Sequence, residues 1–211
     1  MRIELENAGR KFNRDWILRG VDLTLEPGNV YVVTGPNGSG KSTFLQLLAG
    51  NLPLTEGKIV CFESAKPLPA DDVFRYVSVA APYLEMIEEF TLQEAVAFHC
   101  KFKPLRNQLT ANDFIEKIGL AAARHKFVGN FSSGMKTRLK LGLACCSDTP
   151  VLLLDEPTSN LDAAGIAWYR QLLSENIKDR LVVLCSNQTY EYETFTNILR
   201  LQNGRLVRDH G

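Results

Sequence analysis

Gly35-Pro36-Asn37-Gly38-Ser39-Gly40-Lys41-Ser42-Thr43 fits the pattern G-x-x-x-x-G-K-[ST], whose chemistry is the binding of nucleotide phosphates. In such a loop the backbone N–H groups converge on phosphate oxygens, and the dipole of the following helix favours negative charge. Glycine suits these positions because the backbone must approach the phosphates closely and in places needs φ > 0. Lys41 would reach the β- and γ-phosphates, and the Ser42 hydroxyl would ligate Mg²⁺. An ordinary glycine-rich turn could carry the same letters, but the flanks argue against it. Val30-Tyr31-Val32-Val33 reads as a buried strand, and Phe44-Leu45-Gln46-Leu47-Leu48-Ala49 reads as the first turns of a helix stopped at Gly50.

A second reactive pair, Asp155-Glu156, ends the apolar run Val151-Leu152-Leu153-Leu154. Ligands of open parallel sheets bind outside the carboxyl ends of the strands. Asp155 would therefore face the phosphate loop and hold Mg²⁺, directly or through water. Glu156 would sit beside the γ-phosphate, where a carboxylate can polarise an attacking water. Solvated acids at a strand end are the plainer alternative. Ahead of the loop, Phe12 could stack on adenine as aromatics do on bases, with Trp16 as the alternative. Packing or hairpin roles suit both aromatics as well.

Holding these groups in place requires an α/β frame. Ile3-Glu4-Leu5 and Val21-Asp22-Leu23-Thr24-Leu25 alternate apolar and polar residues and read as half-buried strands. Gly57-Lys58-Ile59-Val60-Cys61-Phe62 and residues 75–79 are further strands. Thr91-Leu92-Gln93-Glu94 and Thr110-Ala111-Asn112-Asp113 read as capping boxes opening helices over about 91–103 and 110–118. Another helix starts near Ser133, with Lys136, Arg138 and Lys140 as a basic side and Leu139 and Leu143 as an apolar one. Asp162 opens a helix with Ile166, Tyr169 and Leu173 on one face, and Leu181-Val182-Val183-Leu184-Cys185 is a core strand. The chain closes with a small hairpin, 198–201 and 205–207, turning at Asn203-Gly204. The fold class is α/β: a P-loop NTPase core with a mostly parallel sheet, an N-terminal antiparallel β subdomain, and a helical subdomain inserted at about 83–147 of a single domain, 1–211.

Composition bounds the partners. Lys+Arg and Asp+Glu both number 24 in 211 residues, so nothing points to nucleic acid. No stretch approaches 18 uncharged apolar residues, and the alternating, acid-bearing N-terminus does not read as a signal peptide. Cys61, Cys100, Cys145, Cys146 and Cys185 are scattered without a C-x-x-C pair, which reads as reduced thiols of a cytosolic protein rather than a metal site or disulfide framework.

The order of phosphate loop, helical insertion, Ser-x-Gly helix start and Leu-Leu-Leu-Asp-Glu-Pro-Thr-Ser-Asn-Leu-Asp resembles the ATP-binding subunit of an ABC transporter over nearly the whole chain. The resemblance implies a head-to-tail dimer, homodimer or heterodimer, hydrolysing ATP with Mg²⁺. Each ATP would lie between one copy's phosphate loop and the other's signature motif, here Phe131-Ser132-Ser133-Gly134-Met135. Ser132 and Gly134 keep the pattern and would touch the partner's γ-phosphate, whereas Ser133 and Met135 depart from it. Phe12 matches the adenine-stacking aromatic, and Asp162 would lie at the dimer seam. A separate transmembrane permease subunit is implied, with this chain peripheral at the cytoplasmic face of the inner (plasma) membrane. Tyr83, Leu84, Met86, Ile87 and Phe90 could form the apolar landing site for its coupling helix, or could simply pack the insertion onto the core.

Two departures bear on rate. The glutamine usual after the strand 75–79 is missing from Ala80-Ala81-Pro82-Tyr83-Leu84-Glu85, and only Tyr83 or Glu85 could stand in for it. The usual switch histidine is Asn187, which can hydrogen-bond a γ-phosphate or water but cannot become cationic. None of His99, His125 and His210 is near it in sequence. With Glu156 present, slow hydrolysis follows from these departures rather than none, and a regulatory ATP-binding module with little turnover is the alternative reading.

Overall fold

The computed structural model describes residues 1–208, and His210 lies outside them. The elements in chain order are β1 (Arg2–Phe12), β2 (Asp15–Leu25), β3 (Val30–Thr34), α1 (Lys41–Leu48), β4 (Glu56–Glu63), β5 (Lys66–Pro67), α2 (Val73–Tyr76), β6 (Val77–Ala80), α3 (Leu92–Cys100), α4 (Ala111–Lys117), α5 (Ser133–Cys146), β7 (Val151–Asp155), α6 (Ala163–Asn176), β8 (Leu181–Cys185), α7 (Thr189–Tyr192), β9 (Asn197–Gln202) and β10 (Arg205–Arg208).

A six-stranded sheet runs β10-β9-β3-β8-β7-β6, parallel except for β10. Its central strands β3, β8 and β7 are apolar up to their carboxyl ends because both faces are covered. Val151, Leu153, Leu181 and Val183 join a core with Ile3, Leu25, Phe44 and Leu48. Leu152, Leu154, Val182 and Leu184 join the opposite core, with Val96, Phe114, Leu139 and Tyr169 from the helices. A second, antiparallel sheet has the order β2-β1-β4-β5.

Several boundaries differ from the sequence expectation, each for a physical reason. β1 and β2 run the full length to a tight turn, where Asn13 has φ 53. Bulges between Leu5 and Lys11 break the two-residue alternation and hide the strands' extent. Arg75 and Tyr76 end the short helix α2, and the strand begins only at the β-branched Val77. The terminal hairpin turns at Asn203 and Gly204, with φ 50 and 74. It is not an appendage, because β9 pairs in parallel with β3 and buries Leu199 and Leu201.

Within the helical insertion, Thr91 and Glu94 form both halves of a capping box. Thr110 forms half of one: its Oγ1 accepts from the Asp113 N–H at 3.2 Å and donates to Asp113 Oδ2 at 2.6 Å. Aspartate, one methylene shorter than glutamate, meets the hydroxyl instead of the Thr110 N–H. The basic side of α5 divides between two neighbours. Lys136 pairs with Glu88 at 2.6 Å and Lys140 donates to Pro82 O at 3.1 Å, while Arg138 stacks on Trp168 with its guanidinium 4.9 Å from the ring centroid.

His99 of α3 anchors the insertion to the residue after α5. The Ser147 hydroxyl donates to Leu143 O at 2.6 Å, so His99 Nε2 is the donor in its 2.7 Å bond to Ser147 Oγ. Burial, helped by Lys103, holds the imidazole down at about 4. An unfolded histidine takes up its proton near pH 6.5, so the unfolded chain binds the extra proton between these values. The stability contributed by neutral His99 is complete above pH 6.5 and is lost as the pH falls towards 4. About 1–2 kcal/mol should disappear between pH 6.5 and 5, and His99→Gln should flatten that part of the melting-temperature profile. Equal slopes for both proteins over this interval would exclude His99 as the cause.

Candidate nucleotide site

The phosphate loop leaves β3 through Gly35 (φ 151) and enters α1 after Gly40 (φ 106). A Cβ on Gly35 would lie 2.5 Å from Leu201 O, and one on Gly40 would lie 2.6 Å from Ile17 Cγ2. β9 and β2 thus press against the loop from behind and admit only glycine. Gly38 (φ 78) faces open space. Lys41 is buried, and its Nζ donates to Gly35 O at 2.7 Å and Pro36 O at 3.3 Å, inside the curl of the loop. Ser39 Oγ is buried without a partner. A buried ammonium bonded to neutral carbonyls, an orphan hydroxyl and a glycine turn open on one side suit a bound polyphosphate.

The sheet register brings the second reactive pair to this loop. Val33 pairs with Cys185, and Cys185 pairs with Asp155, so β3, β8 and β7 end level with one another. Asp155 is only 3% exposed. Burial pushes its carboxyl up, a hydrogen bond from Ser42 pulls it back, Glu156 pushes it up again, and Lys41 opposes. Lys41, Ser42, Asp155 and Glu156 therefore meet as expected from sequence. A buried carboxylate beside a hydroxyl suits a small, oxygen-preferring cation such as Mg²⁺.

Tyr83, although 41% exposed, has its hydroxyl near Asp155, and Glu85 does not approach it. Burial first, and Asp155 second, push the Tyr83 hydroxyl up to about 12, against a hydrogen bond with Gln46. Glu85 instead lines an outer groove with Glu88, Glu89, Lys136 and Lys140. Sequence reasoning missed Gln46. Its signal is its spacing, because Gln46 lies four residues after Ser42 on α1 and shares its face. Between β6 and α5 a cavity of about 200 Å³ opens beside Asp155, lined by Ala81, Pro82, Lys136, Lys140 and Glu156.

Asn187 binds the phosphate loop itself. The Gly35 N–H donates to Asn187 Oδ1 at 3.3 Å, which fixes the amide's orientation, and Asn187 Nδ2 donates to Asn37 Oδ1 at 3.0 Å. One planar group thus supplies an acceptor and a donor to two loop residues. Phe12 stands at the tip of the β1–β2 hairpin, 41% exposed, with the Arg10 guanidinium 4.5 Å from its ring centroid. Trp16 is half-buried and has Lys11 and Arg19 over its ring, at 5.5 and 5.1 Å. Ser132 and Gly134 stand at the start of α5. Ser132 caps α5, accepting from the Met135 N–H at 3.3 Å, and a Cβ on Gly134 would lie 3.3 Å from Asn160 O.

The family model described as "ABC transporter" matches residues 18–159. The chain belongs to the ABC transporter family. It is an ATP-binding subunit with the P-loop NTPase fold. The "Uncharacterized ABC transporter ATP-binding protein YybJ" of Bacillus subtilis (strain 168) is 29% identical over 97% of this chain and 94% of its own length. The "Cytochrome c biogenesis ATP-binding export protein CcmA" of Mesorhizobium japonicum is 32% identical over 82% of this chain and 85% of its own. Among solved structures, the dimeric post-hydrolysis state of an ATP-binding cassette bound to ADP and Pi superposes with a TM-score of 0.85, covering 98% of this chain and 97% of that one at 22% identity. No helix among the described residues is long and apolar enough to cross a membrane.

Proposed function

We propose that this subunit binds and slowly hydrolyses ATP as a head-to-tail dimer that drives a separate membrane permease. The observation that carries this reading is the meeting of Lys41, Ser42, Asp155 and Glu156 at the carboxyl edge of the parallel sheet. Residues 35–43 wrap the phosphates, and Phe12 stacks on the adenine at the hairpin tip. Lys41 leaves the loop carbonyls for the β- and γ-phosphates. Ser42 and Asp155 would hold Mg²⁺, which neutralises charge on the phosphates. Glu156 accepts the proton of the attacking water. Ser132 and Gly134 serve the nucleotide of the second copy across the seam.

The groove lined by Glu85, Glu88, Glu89, Lys136 and Lys140 carries both signs of charge and suits a polar permease segment, with exposed Ile87 in the same loop. Met86 and Phe90 pack against the core, so they belong to the fold more than to the landing site. Such docking would hold the subunit at the cytoplasmic face of the membrane. The names of the relatives, an export protein and a "Lantibiotic transport ATP-binding protein", support coupling to transport.

The test is phosphate release by the purified subunit with and without Mg²⁺, together with its mass in the presence of ATP. Mg²⁺-dependent turnover and ATP-driven dimerisation are expected. Tight ATP binding with no turnover, even beside its permease, would establish the regulatory module instead. Asn187 makes a further prediction. A preorganised donor to developing charge is worth about 10²–10³ in rate. Asn187→His should raise kcat by about tenfold, short of that range, because the substitution also gives up the Gly35 and Asn37 bonds. An unchanged kcat would show that the missing histidine does not limit the rate.

A further inference from the structure

Glu156 occupies a left-handed backbone conformation, φ 42, which a glutamate disfavours and keeps only where its surroundings impose it. One restraint precedes the strained bond: the Glu156 N–H donates to Cys185 O at 2.9 Å. The other follows it. The Thr158 N–H donates to Glu191 Oε1 at 3.0 Å, and the Thr158 hydroxyl donates to the same oxygen. The Tyr190 hydroxyl completes the cluster, 2.9 Å from Thr158 Oγ1, and Arg170 holds the Tyr190 carbonyl at 2.6 Å.

Glu191 is an unusual group to find there. It is 6% exposed, and among the described residues no lysine or arginine forms an ion pair with it. Its second oxygen, Oε2, is buried without a partner, as is the hydroxyl of nearby Tyr169. A carboxylate desolvated in this way is costly and calls for a compensating role. Its position suggests one. Glu191, in α7, lies four residues beyond Asn187, which holds the phosphate loop, and its carboxylate grips the chain two residues beyond Glu156.

We infer that Glu191 is a positioning residue for Glu156: by pinning Thr158 it keeps Glu156 in its left-handed conformation beside Asp155. The inference rests on the reading of Glu156 as the base that takes the proton of water. It predicts a rate effect without a binding effect, because Glu191 is hydrogen-bonded to neither the phosphate loop nor Lys41.

Glu191→Ala and Glu191→Gln in the full chain test it by two routes. The first is the crystal structure of each variant. Alanine should release Thr158 and let Glu156 return to negative φ. Glutamine should preserve the wild-type conformation, since its Oε1 can accept both Thr158 bonds. The second route is kinetic. Misplacement of a reacting group by an ångström costs about 10²-fold, so Glu191→Ala should lower kcat on that scale. Its ATP affinity, read with a fluorescent ATP analogue, should stay close to wild type, and Glu191→Gln should restore most of the rate. If Glu191→Ala does not fold, Thr158→Val removes one of the two donors and should give a smaller loss of kcat with the same unchanged affinity. Glu156 keeping its positive φ in Glu191→Ala, or glutamine proving as damaging as alanine, would overturn the inference. A wild-type protein without Mg²⁺-dependent turnover would instead defeat the hydrolytic reading, and the φ of Glu156 in the variant structures would still decide the role of Glu191.

Discussion

Glu156→Gln is expected to lower ATP turnover by about 10²–10⁴-fold, the range supplied by a positioned general base. Glutamine has the same shape and can keep the backbone bond to Cys185, so the site should stay assembled around it. It cannot accept the proton of the attacking water. It also removes a negative charge that acts on Asp155 and would face the γ-phosphate, so the ATP-bound state should persist. The variant should therefore bind ATP at least as tightly as wild type and accumulate as an ATP-bound dimer, measured by phosphate release and by mass with and without Mg-ATP. Unchanged turnover would show that Glu156 is not the base. Loss of ATP binding together with turnover would show that Glu156 supports the loop rather than the chemistry.

The second large effect is on stability. Arg180 is 1% exposed, and no carboxylate among the described residues pairs with it. Its Nη1 donates to Cys145 O and its Nη2 to Thr149 Oγ1, both at 2.8 Å, with longer contacts to Ala144 O and Asn176 O. These carbonyls end α5 and α6, where the helix dipoles favour a cation. Burial lowers the guanidinium's pKa to about 10, so it remains charged at neutral pH. Thr149 extends the network to Ser78 of β6 at 2.6 Å, so one side chain ties two helix ends to the sheet. Arg180→Ala strands these acceptors and opens a cavity, a loss of about 3 kcal/mol. In a chain of this length that lowers the melting temperature by about 6–12 °C. Arg180→Lys keeps the charge without the fork and should fall between. A melting temperature unchanged by Arg180→Ala would show that water replaces the guanidinium at no cost.

Much of the site is legible in the amino-acid sequence because its chemistry is local. The phosphate loop is a run of adjacent backbone groups with a lysine and a serine at fixed offsets, and its glycines answer to φ values of single residues. The same holds for Thr91 with Glu94 and for Asp162, whose Oδ1 accepts from the Gly165 N–H at 2.7 Å. Asp155 and Glu156 are legible through a rule almost as local, that a buried parallel strand delivers its terminal side chains to the ligand edge. The apolar runs mark which segments are central strands, since only a sheet covered on both faces needs every residue apolar.

Periodicity specifies the face a residue occupies but not the neighbour it meets there. Asn187 reaches Gly35 across 152 positions only because β8 lies beside β3, and no spacing encodes that adjacency. Tyr83 rather than Glu85 has its side chain near Asp155 because of the course of the irregular loop after β6, which no periodicity encodes. β9 joins the main sheet because β3 has a free edge for it. Glu191 and Arg180 read as ordinary surface charges in the sequence. The packing of α6 and α7 on the sheet buries both, and each is then held by hydrogen bonds to distant backbone atoms. Composition and local pattern thus determined the chemistry and the class of fold. The order of strands and the packing of helices on them decided which polar groups surround that chemistry, because those contacts exist only once distant segments share a desolvated interior.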